Sequence, residues 1–396
     1  MGVTFKVFKK WSPNGKVTLY LGRRDFVDHI SSVDPVDGVV LLDSELLRGH
    51  TKVWAQLLCS FRYGREEEEV MGLTFQKDLF LASEQVFPPA KRDVSLTKLQ
   101  ERLITKLGSG AYPFTFTISQ HAPNSVSIQS GGVDDEKNPL GVEFLVRVFA
   151  GDSSEVKPGN RSLVELGIRK VQYAPSKQGK QPVTLVRKDF LLSPGELELE
   201  ASLDKQLYYH GEQIGINIGV RNYSNKEVKK MKASVQQCVD ITMFNTGQYR
   251  TTVASVETEE GCPIGPGSAL QKVVAVKPSI EMNRGRRGVA LDGKLKHQDP
   301  SLASSSLLAE MDLRESFGVI ISYVAKVKLY LGALGGELTA ELPFVLMHPK
   351  PEKEKLIRED SQAQVEMFRQ DTVDGDAPPS GGRRLLKDMQ KLSLQH

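Results

Sequence analysis

At roughly 150 residues per domain, the 396 residues of this chain suggest two or three domains. The 34 Gly, 20 Pro and 39% hydrophobic residues exclude collagen-like, wholly disordered and membrane-bundle proteins. The 52 Lys plus Arg nearly cancel the 49 Asp plus Glu, and the net charge of +3 argues against nucleic acid as a partner. Any charge-driven function must come from local clusters.

The N-terminus and the cysteines indicate a reducing, cytoplasmic setting. The first residues, MGVTFKVFKKW, carry charge where a signal peptide needs an apolar run, and no apolar stretch reaches the ~18 residues of a membrane span. Cys59, Cys238 and Cys262 form no CxxC pair and have no nearby histidine to complete a zinc set. We therefore expect neither a metal nor a cofactor.

Period-two alternation of apolar residues dominates the chain and predicts β-strands with one buried face. The alternation is clearest at residues 142–148, 214–220 and 321–329. Clusters of Gly, Pro, Asn and Asp separate these runs. The pattern predicts an all-β chain of antiparallel β-sandwiches.

One helical segment interrupts the strands within residues 89–113. Ser95 or Asp93 is the expected cap at its start, and Gly108 is the expected cap at its end. We expect the helix to lie on a sheet with its apolar stripe buried. The stripe follows helical spacing and consists of Leu96, Leu99, Leu103 and Leu107.

Composition shifts divide the chain into four parts. A stretch rich in Pro, Gly and Lys separates two sets of strand patterns, and the alternation ends near residue 350. We therefore predict an N-terminal sandwich at 1–173, a hinge at 174–182, a second sandwich at 183–350 and an extended tail at 351–396.

The steepest charge asymmetry lies in the first 24 residues, which carry six Lys or Arg and no acidic residue. Lys9 and Lys10 end one predicted strand, and Arg23 and Arg24 close the next, so a hairpin would bring all four near one edge. Such clusters bind phosphorylated segments through charge-assisted hydrogen bonds. We predict an anion site here, with a solvated basic edge as the alternative.

Charged residues also occur within strand patterns. Between residues 164 and 168 the apolar side chains share one face, so Glu165 and Arg169 take the other. Asp25 follows Arg24 in a further strand-like run. An unpaired buried ion costs several kcal/mol, so Arg169 or Asp25 must be paired if it is buried.

Motifs for nucleotide binding, zinc proteolysis, serine hydrolysis and calcium loops are absent from the sequence. The nearest set for metal or acid–base chemistry is Asp292, His297 and Asp299. Lys294 and Lys296 stand between them and oppose a cation, so an electrostatic contact surface is the better interpretation. We expect no enzyme, and a hydrolase that uses this set is the weaker hypothesis.

Eight segments carry a family signature in chain order. They are VFKKWSPNGKVTLYLGRRDFVDH, PVDGVV, YGREEEEVMGL, KLGSGAYPF, IRKVQYAP, YYHGE, GVALDGKLKHQD and ELPFVLMHP. Together they resemble the arrestins, most closely the visual arrestins of invertebrates, over nearly the whole chain. The resemblance implies two sandwiches joined by a short hinge, with one helix on the first.

The resemblance implies a binding switch. Its partner would be the activated, phosphorylated form of a seven-helix receptor, rhodopsin or a related GPCR, whose coupling to G protein it would block. It implies a cytoplasmic protein recruited to the photoreceptor (rhabdomeric) membrane. The alternative is an arrestin-fold trafficking adaptor that selects cargo without sensing activation, but such adaptors carry PPxY motifs, and neither Pro-Pro pair here is followed by Tyr.

The resemblance also assigns a trigger. Captured receptor phosphates would compete for Arg169 and displace the tail. The polar core that holds the basal state maps onto Asp25, Arg169, Asp292, Asp299 and, from the tail, Arg369. The phosphate-binding positions map onto Lys9, Lys10, Arg24, Lys106, Lys294 and Lys296.

The resemblance also implies a second, apolar anchor for the tail, which forms where the tail packs on the helix. The aromatic series usual before the tail arginine is reduced here to VEMFR, one residue out of step, which predicts easier release and lower dependence on phosphate. The anchor residues are Leu99, Leu103 and Leu107 on the helix and Val365, Met367 and Phe368 in the tail.

One loop resembles the arrestin finger loop and implies receptor contact. Its acidic run and apolar tip suit a basic cytoplasmic cavity, and an ordinary solvated hairpin is the alternative. The loop residues are Glu66, Glu67, Glu68, Glu69, Val70, Met71 and Leu73.

The second domain carries an implied lipid contact. Lys232 and Arg250 match a surface that binds inositol phosphate or phosphoinositide, but Gln236 replaces a basic residue, so we expect weaker binding. The segment 331–337 resembles a membrane-touching edge and implies peripheral membrane contact.

Overall fold

The structure is a computed structural model, which describes residues 4–49, 51–63, 76–89, 95–131, 140–155, 159–177, 179–190, 193–241, 247–293, 301–308, 318–331, 335–350 and 364–369. Strands make up most of these residues, so the predicted all-β fold class is confirmed. The strands of the first half of the chain are β1 (Thr4–Trp11), β2 (Val17–Leu21), β3 (Asp25–Val27), β4 (Val36–Leu42), β5 (Val53–Tyr63), β6 (Gln76–Phe87), β7 (Ala111–Phe116), β8 (Val126–Ile128), β9 (Leu140–Ala150) and β10 (Val164–Val171).

The second half begins after the predicted hinge and ends with a strand in the tail. Its strands are β11 (Val183–Phe190), β12 (Ser193–Leu203), β13 (Leu207–Tyr209), β14 (Ile214–Asn222), β15 (Lys230–Ile241), β16 (Gly247–Thr258), β17 (Ala269–Val276), β18 (Ala290–Asp292), β19 (Val319–Tyr330), β20 (Glu337–Met347) and β21 (Gln364–Arg369).

The strands form two sandwiches of two sheets each. In the N-terminal sandwich one sheet has the order β21–β1–β2–β4–β7, and the other has the order β18–β8–β9–β10–β3, with β5 pairing both β9 and β6. The C-terminal sandwich combines β11–β12–β14–β17 with β13–β20–β19–β15–β16. The clearest predicted alternations lie in β9, β14 and β19, where alternate side chains are buried as expected.

The first sheet buries apolar side chains on both faces. On β1, Phe8 belongs to the main core between the sheets, whereas its neighbour Val7 joins a smaller cluster on the outer face. Tyr20 and Val39 extend that cluster across β2 and β4. Consecutive residues of β1 therefore face opposite sides, as the pleat of a strand requires.

Two α-helices occur in the described residues, α1 (Ser44–Arg48) and α2 (Lys98–Leu107). Only α2 was predicted, because α1 is a single turn without a buried side chain. Three leucines of the predicted stripe cover the smaller cluster: Leu103 is fully buried there, and Leu99 and Leu107 are half-buried. Leu96, predicted as the first member of the stripe, lies before α2 and is exposed.

The start of α2 differs from the prediction. Its N-cap is Thr97, in a capping box with Gln100, so Ser95 was the wrong residue, and Asp93 lies outside the described residues. The start is fixed because Gln100 is fully buried and donates to the carbonyl oxygen of Phe114 at 2.8 Å. Gly108 caps the end, as predicted.

Strand β18 crosses between the sandwiches. It pairs with β8 in the N-terminal sandwich, with Asp292 opposite Val126. On the other side, Gln237 of β15 holds both backbone groups of Ala290, with bonds of 2.7 and 2.9 Å. The predicted range 183–350 therefore contains one strand that belongs to a sheet of the first sandwich.

The packing of β4 against β7 gives a direct test of the core. A Cβ atom on Gly38 would lie 2.4 Å from the Phe114 ring and 2.7 Å from Leu21. We expect Gly38→Val to destabilise the N-terminal sandwich by about 1–3 kcal/mol through overpacking and to lower its thermal unfolding midpoint. Gly159→Ala is the control, since its Cβ meets no atom within 4 Å. Equal midpoints for the two variants would contradict this packing.

Candidate functional site

Arg169 and Asp25 form a bidentate ion pair. They stand opposite each other on the parallel strands β10 and β3. Nε of Arg169 donates to Oδ1 of Asp25 and Nη2 donates to Oδ2, both at 2.7 Å, and the side chains are 12% and 17% exposed. This fork geometry gives one of the stronger types of hydrogen-bonded pair.

The same guanidinium reaches a third segment of the chain. Its Nη1 donates to the carbonyl oxygen of Gly293, directly after β18, at 3.0 Å. Burial, the largest influence, lowers the pKa of Arg169, but hydrogen bonding and the charge of Asp25 outweigh it and raise the pKa. One permanently charged side chain thus connects β3, β10 and the chain that follows β18.

Lys170, the next residue of β10, points the opposite way into the sandwich. It is fully buried, and its Nζ lies 2.5 Å from Oδ2 of buried Asp28 and 2.8 Å from the carbonyl oxygen of Ala122. Burial lowers the pKa of Lys170, and the charge of Asp28 opposes that effect. The sequence analysis missed this pair, although continuing the alternation one step past Ile168 places Lys170 on the buried face.

Asp292 lies beside this junction but bonds elsewhere. Its Oδ1 accepts the backbone N–H of Ser304 at 2.8 Å, and its Oδ2 lies 3.0 Å from Nε2 of His348. Within the described ranges, Asp292 therefore makes no direct bond to Arg169, whose Nη1 binds the carbonyl oxygen of Gly293, although the charge of Asp292 still acts to raise the pKa of Arg169.

Two histidines share the surroundings of Asp292. Burial is the largest influence on the pKa of Asp292 and raises it, but the hydrogen bond from His348 and the charges of both imidazoles outweigh it, so the pKa is lowered. Burial lowers the pKa of His210 to about 4. Sequence spacing gave no signal for this cluster, since its members are far apart in the chain.

The structure describes only part of the other proposed members of the polar core, Asp299 and Arg369. Asp299 lies outside the described residues. The backbone of Arg369 pairs with Thr4 at the end of β1. Its side chain belongs to the part of the chain that is not described, so its contacts stay a prediction.

Lys9 and Lys10 point to opposite faces of the first sheet. Nζ of Lys9 lies 5.8 Å from the ring centroid of Tyr20 on the outer face. Nζ of Lys10 donates to the carbonyl oxygen of Glu165 in the other sheet at 2.6 Å. The two lysines share one strand end, as expected, but not one face.

The remaining predicted phosphate contacts differ in exposure. Arg24 is 2% exposed, and its Nε donates to the carbonyl oxygen of Gly167 at 2.7 Å. Its guanidinium is therefore not part of an exposed basic edge. The part of Arg24 in phosphate binding stays a prediction. Lys106 is exposed in the last turn of α2. Lys294 and Lys296 lie outside the described residues.

The tail is held by backbone pairing. Strand β21 runs antiparallel to β1 at the edge of the first sheet, with Glu366 opposite Val7 and Gln364 opposite Lys9. An apolar anchor was predicted here, but this ladder was not, because VEMFR lacks a clear strand pattern. The side chains of Val365, Met367 and Phe368 lie outside the described part, whereas the backbone of all three is in the ladder.

Three further predicted contact regions differ in how much of each the structure describes. The finger-loop residues 66–73 lie outside the described residues, between the paired strands β5 and β6. On β15, half-buried Lys232 stands between Glu257 and Lys328. Exposed Arg250 donates to Sγ of Cys238 at 3.0 Å. Of the predicted membrane edge, residues 332–334 are not described.

No helix in the described ranges is both long and apolar enough to cross a membrane.

The N-terminal sandwich contains strand β18 from the second half of the chain, and the two sandwiches meet at a charged junction. This arrangement defines a two-domain β-sandwich protein. Residues 17–174 match the family described as "Arrestin (or S-antigen), N-terminal domain", and residues 193–351 match the corresponding C-terminal domain. The chain belongs to the arrestin family, whose members are non-enzymatic regulatory proteins.

Curated relatives match over most of their length. The arrestin homolog of Heliothis virescens is 61% identical over 374 residues, covering 94% of this chain and 98% of the relative. Phosrestin-2 of Drosophila melanogaster is 58% identical, with 89% and 97% covered. The lateral-eye arrestin of Limulus polyphemus is 48% identical, with 93% and 90% covered. The resemblance to invertebrate visual arrestins is thereby confirmed.

The buried Lys170–Asp28 pair predicts a large stability effect. Lys170→Met leaves the carboxylate of Asp28 buried without its cation, and we expect a loss of about 3–5 kcal/mol in the free energy of unfolding, measured by urea denaturation. Adding Asp28→Asn should restore part of that loss. Lys16→Met removes the exposed pair with Glu45 and should change the midpoint little. Equal effects of the two single variants would contradict the structural role of Lys170.

Proposed function

We propose that this chain binds the activated, phosphorylated form of a seven-helix receptor, rhodopsin or a related GPCR, and blocks its coupling to G protein. The single observation that carries the proposal is the largely buried guanidinium of Arg169, which donates hydrogen bonds to Asp25 and to the carbonyl oxygen of Gly293. Membership in the arrestin family and the eye origin in the name of the Limulus relative support a visual receptor.

Arg169 acts as the phosphate sensor in this proposal. A phosphate carries up to two negative charges and three acceptor oxygens, whereas the Asp25 carboxylate carries one charge. A receptor phosphate that reaches Arg169 therefore competes well for the guanidinium. Loss of the bond to Gly293 would then loosen β18, which also contacts the C-terminal sandwich through Gln237.

The tail acts as the second part of the switch. Strand β21 covers the edge of β1 beside Lys9 and Lys10, so a phosphorylated receptor segment must approach where the tail is docked. Release of β21 would leave unpaired backbone groups on β1, and an extended peptide can pair with such an edge. Arg369 would leave with the tail.

Domain rotation would follow about the predicted hinge, 174–182. Ala174 at its start donates to the carbonyl oxygen of His348 at 2.9 Å, so the hinge is tied to the C-terminal sandwich in the basal state. The loop at 66–73 would enter the receptor. Lys232 and Arg250 would bind inositol phosphate or phosphoinositide and, with the 331–337 edge, recruit the cytoplasmic protein to the rhabdomeric membrane.

Charge reversal at the sensor tests the trigger. Arg169→Glu places a carboxylate against Asp25, so we expect binding to light-activated, unphosphorylated rhodopsin to rise to near the level seen with phosphorylated rhodopsin. Sedimentation with photoreceptor membranes, dark and lit, measures this. Arg147→Glu, which breaks the more exposed pair with Glu165, is the matched control and should keep phosphate dependence. Unchanged dependence in Arg169→Glu would refute the trigger.

Two truncations test the tail. Ending the chain after residue 360 removes β21, and we expect several-fold more binding to activated, unphosphorylated rhodopsin. Ending it after residue 370 keeps β21 and should leave binding at the wild-type level. If both truncations behave alike, pairing of β21 with β1 does not restrain the basal state.

A further inference from the structure

The ends of three strands, β13, β18 and β20, lie close together next to the polar core. Strands β13 and β20 run parallel, with Tyr209 opposite Met347, so the residues that follow them, His210 and His348, stand side by side. Their ring centroids are 4.3 Å apart. Asp292, the last residue of β18, completes the group from the segment that crosses between the sandwiches.

The three side chains form a set suited to a transition metal. Each offers one ligand atom, and these atoms all lie within 4.8 Å of one another. Oδ2 of Asp292 and Nε2 of His348 are 3.0 Å apart. Tetrahedral Zn²⁺ with bonds of about 2.0–2.1 Å needs ligand separations of about 3.4 Å. Small rotations of the imidazoles would adjust the present separations to this spacing.

Two serines form hydrogen bonds with this set. Ser304 donates its backbone N–H and its hydroxyl to Asp292, and the hydroxyl also lies 3.2 Å from Nε2 of His210. The hydroxyl of Ser301 lies 3.0 Å from Nε2 of His348. The N–H of Ser304 bonds Oδ1 of Asp292 and leaves Oδ2 for an ion, which is how outer hydrogen bonds orient ligands at metal sites. The hydroxyl bonds to the histidine Nε2 atoms would give way to the metal.

The nearby cation does not prevent metal binding. Arg169 is matched by both oxygens of Asp25, whereas the carboxylate of Asp292 is directed to the histidines. Two imidazoles and a carboxylate favour zinc-like ions over Mg²⁺ or Ca²⁺, which prefer oxygen ligands.

We propose that His210, Asp292 and His348 bind a divalent transition-metal ion of the zinc type. The ion would tie β18 to the ends of β13 and β20 and so fasten the crossing strand to the C-terminal sandwich. This site goes beyond receptor binding, and its occupancy can be measured on the purified protein without a receptor.

Zinc titration of the full-length, chelator-treated protein tests the site. With a chromophoric zinc chelator as competitor, we expect His210→Gln and His348→Gln each to weaken zinc affinity at least about 10-fold. His121→Gln, at an exposed position, is the control and should match the wild type. Saturating zinc should raise the thermal midpoint of the wild type, as any ligand of the folded state does, and Mg²⁺ should not.

X-ray absorption at the zinc edge gives a readout that needs no variant. We expect nitrogen and oxygen ligands with imidazole scattering and no sulfur in the wild-type protein. Sulfur ligands, which would point to the cysteines, would overturn the proposal. So would zinc affinity that is unchanged in both histidine variants, or a wild-type midpoint that zinc does not raise.

Discussion

The bidentate contact between Arg169 and Asp25 is the interaction on which the proposed switch depends. Breaking such a pair by removing one partner typically costs about 3–5 kcal/mol, a large share of the 5–15 kcal/mol that stabilises an ordinary domain. The same guanidinium also holds the carbonyl of Gly293, so the pair couples two strands of the first sandwich to the strand that crosses to the second. Competition for this one side chain can therefore change the contacts of both sandwiches.

Two adjacent residues of β10 have different roles, one in the stability of the fold and one in the proposed switch. Lys170 faces the core and binds Asp28 where water does not reach, so this pair belongs to the fold. Arg169 faces the other way, toward the chain after β18, and stays 12% exposed. Because a strand alternates its faces, one strand supplies both a structural ion pair and an ion pair accessible to a competitor.

Local patterns predicted the parts of this structure that local physics controls. Alternation located β9, β14 and β19, and a leucine stripe located α2, because burial of one face has a fixed period. The cap at Thr97, the crossing of β18 and the backbone ladder of β21 depend on contacts with distant residues. Of the candidate site, the alternation showed that Arg169 leaves the core face; the place of Asp292 beside His210 and His348 follows only from the fold.

The central claim is that phosphate at Arg169 releases β21 from β1. With the native cysteines replaced, spin labels can be attached at Thr105 on α2 and at Gln364 in β21. Double electron–electron resonance then measures the distance between the two labels. The account predicts a short, narrow distance in the basal protein, a long, broad one after a phosphorylated receptor peptide is added, and a long one without peptide in Arg169→Glu. A short distance that persists in all three samples would contradict it.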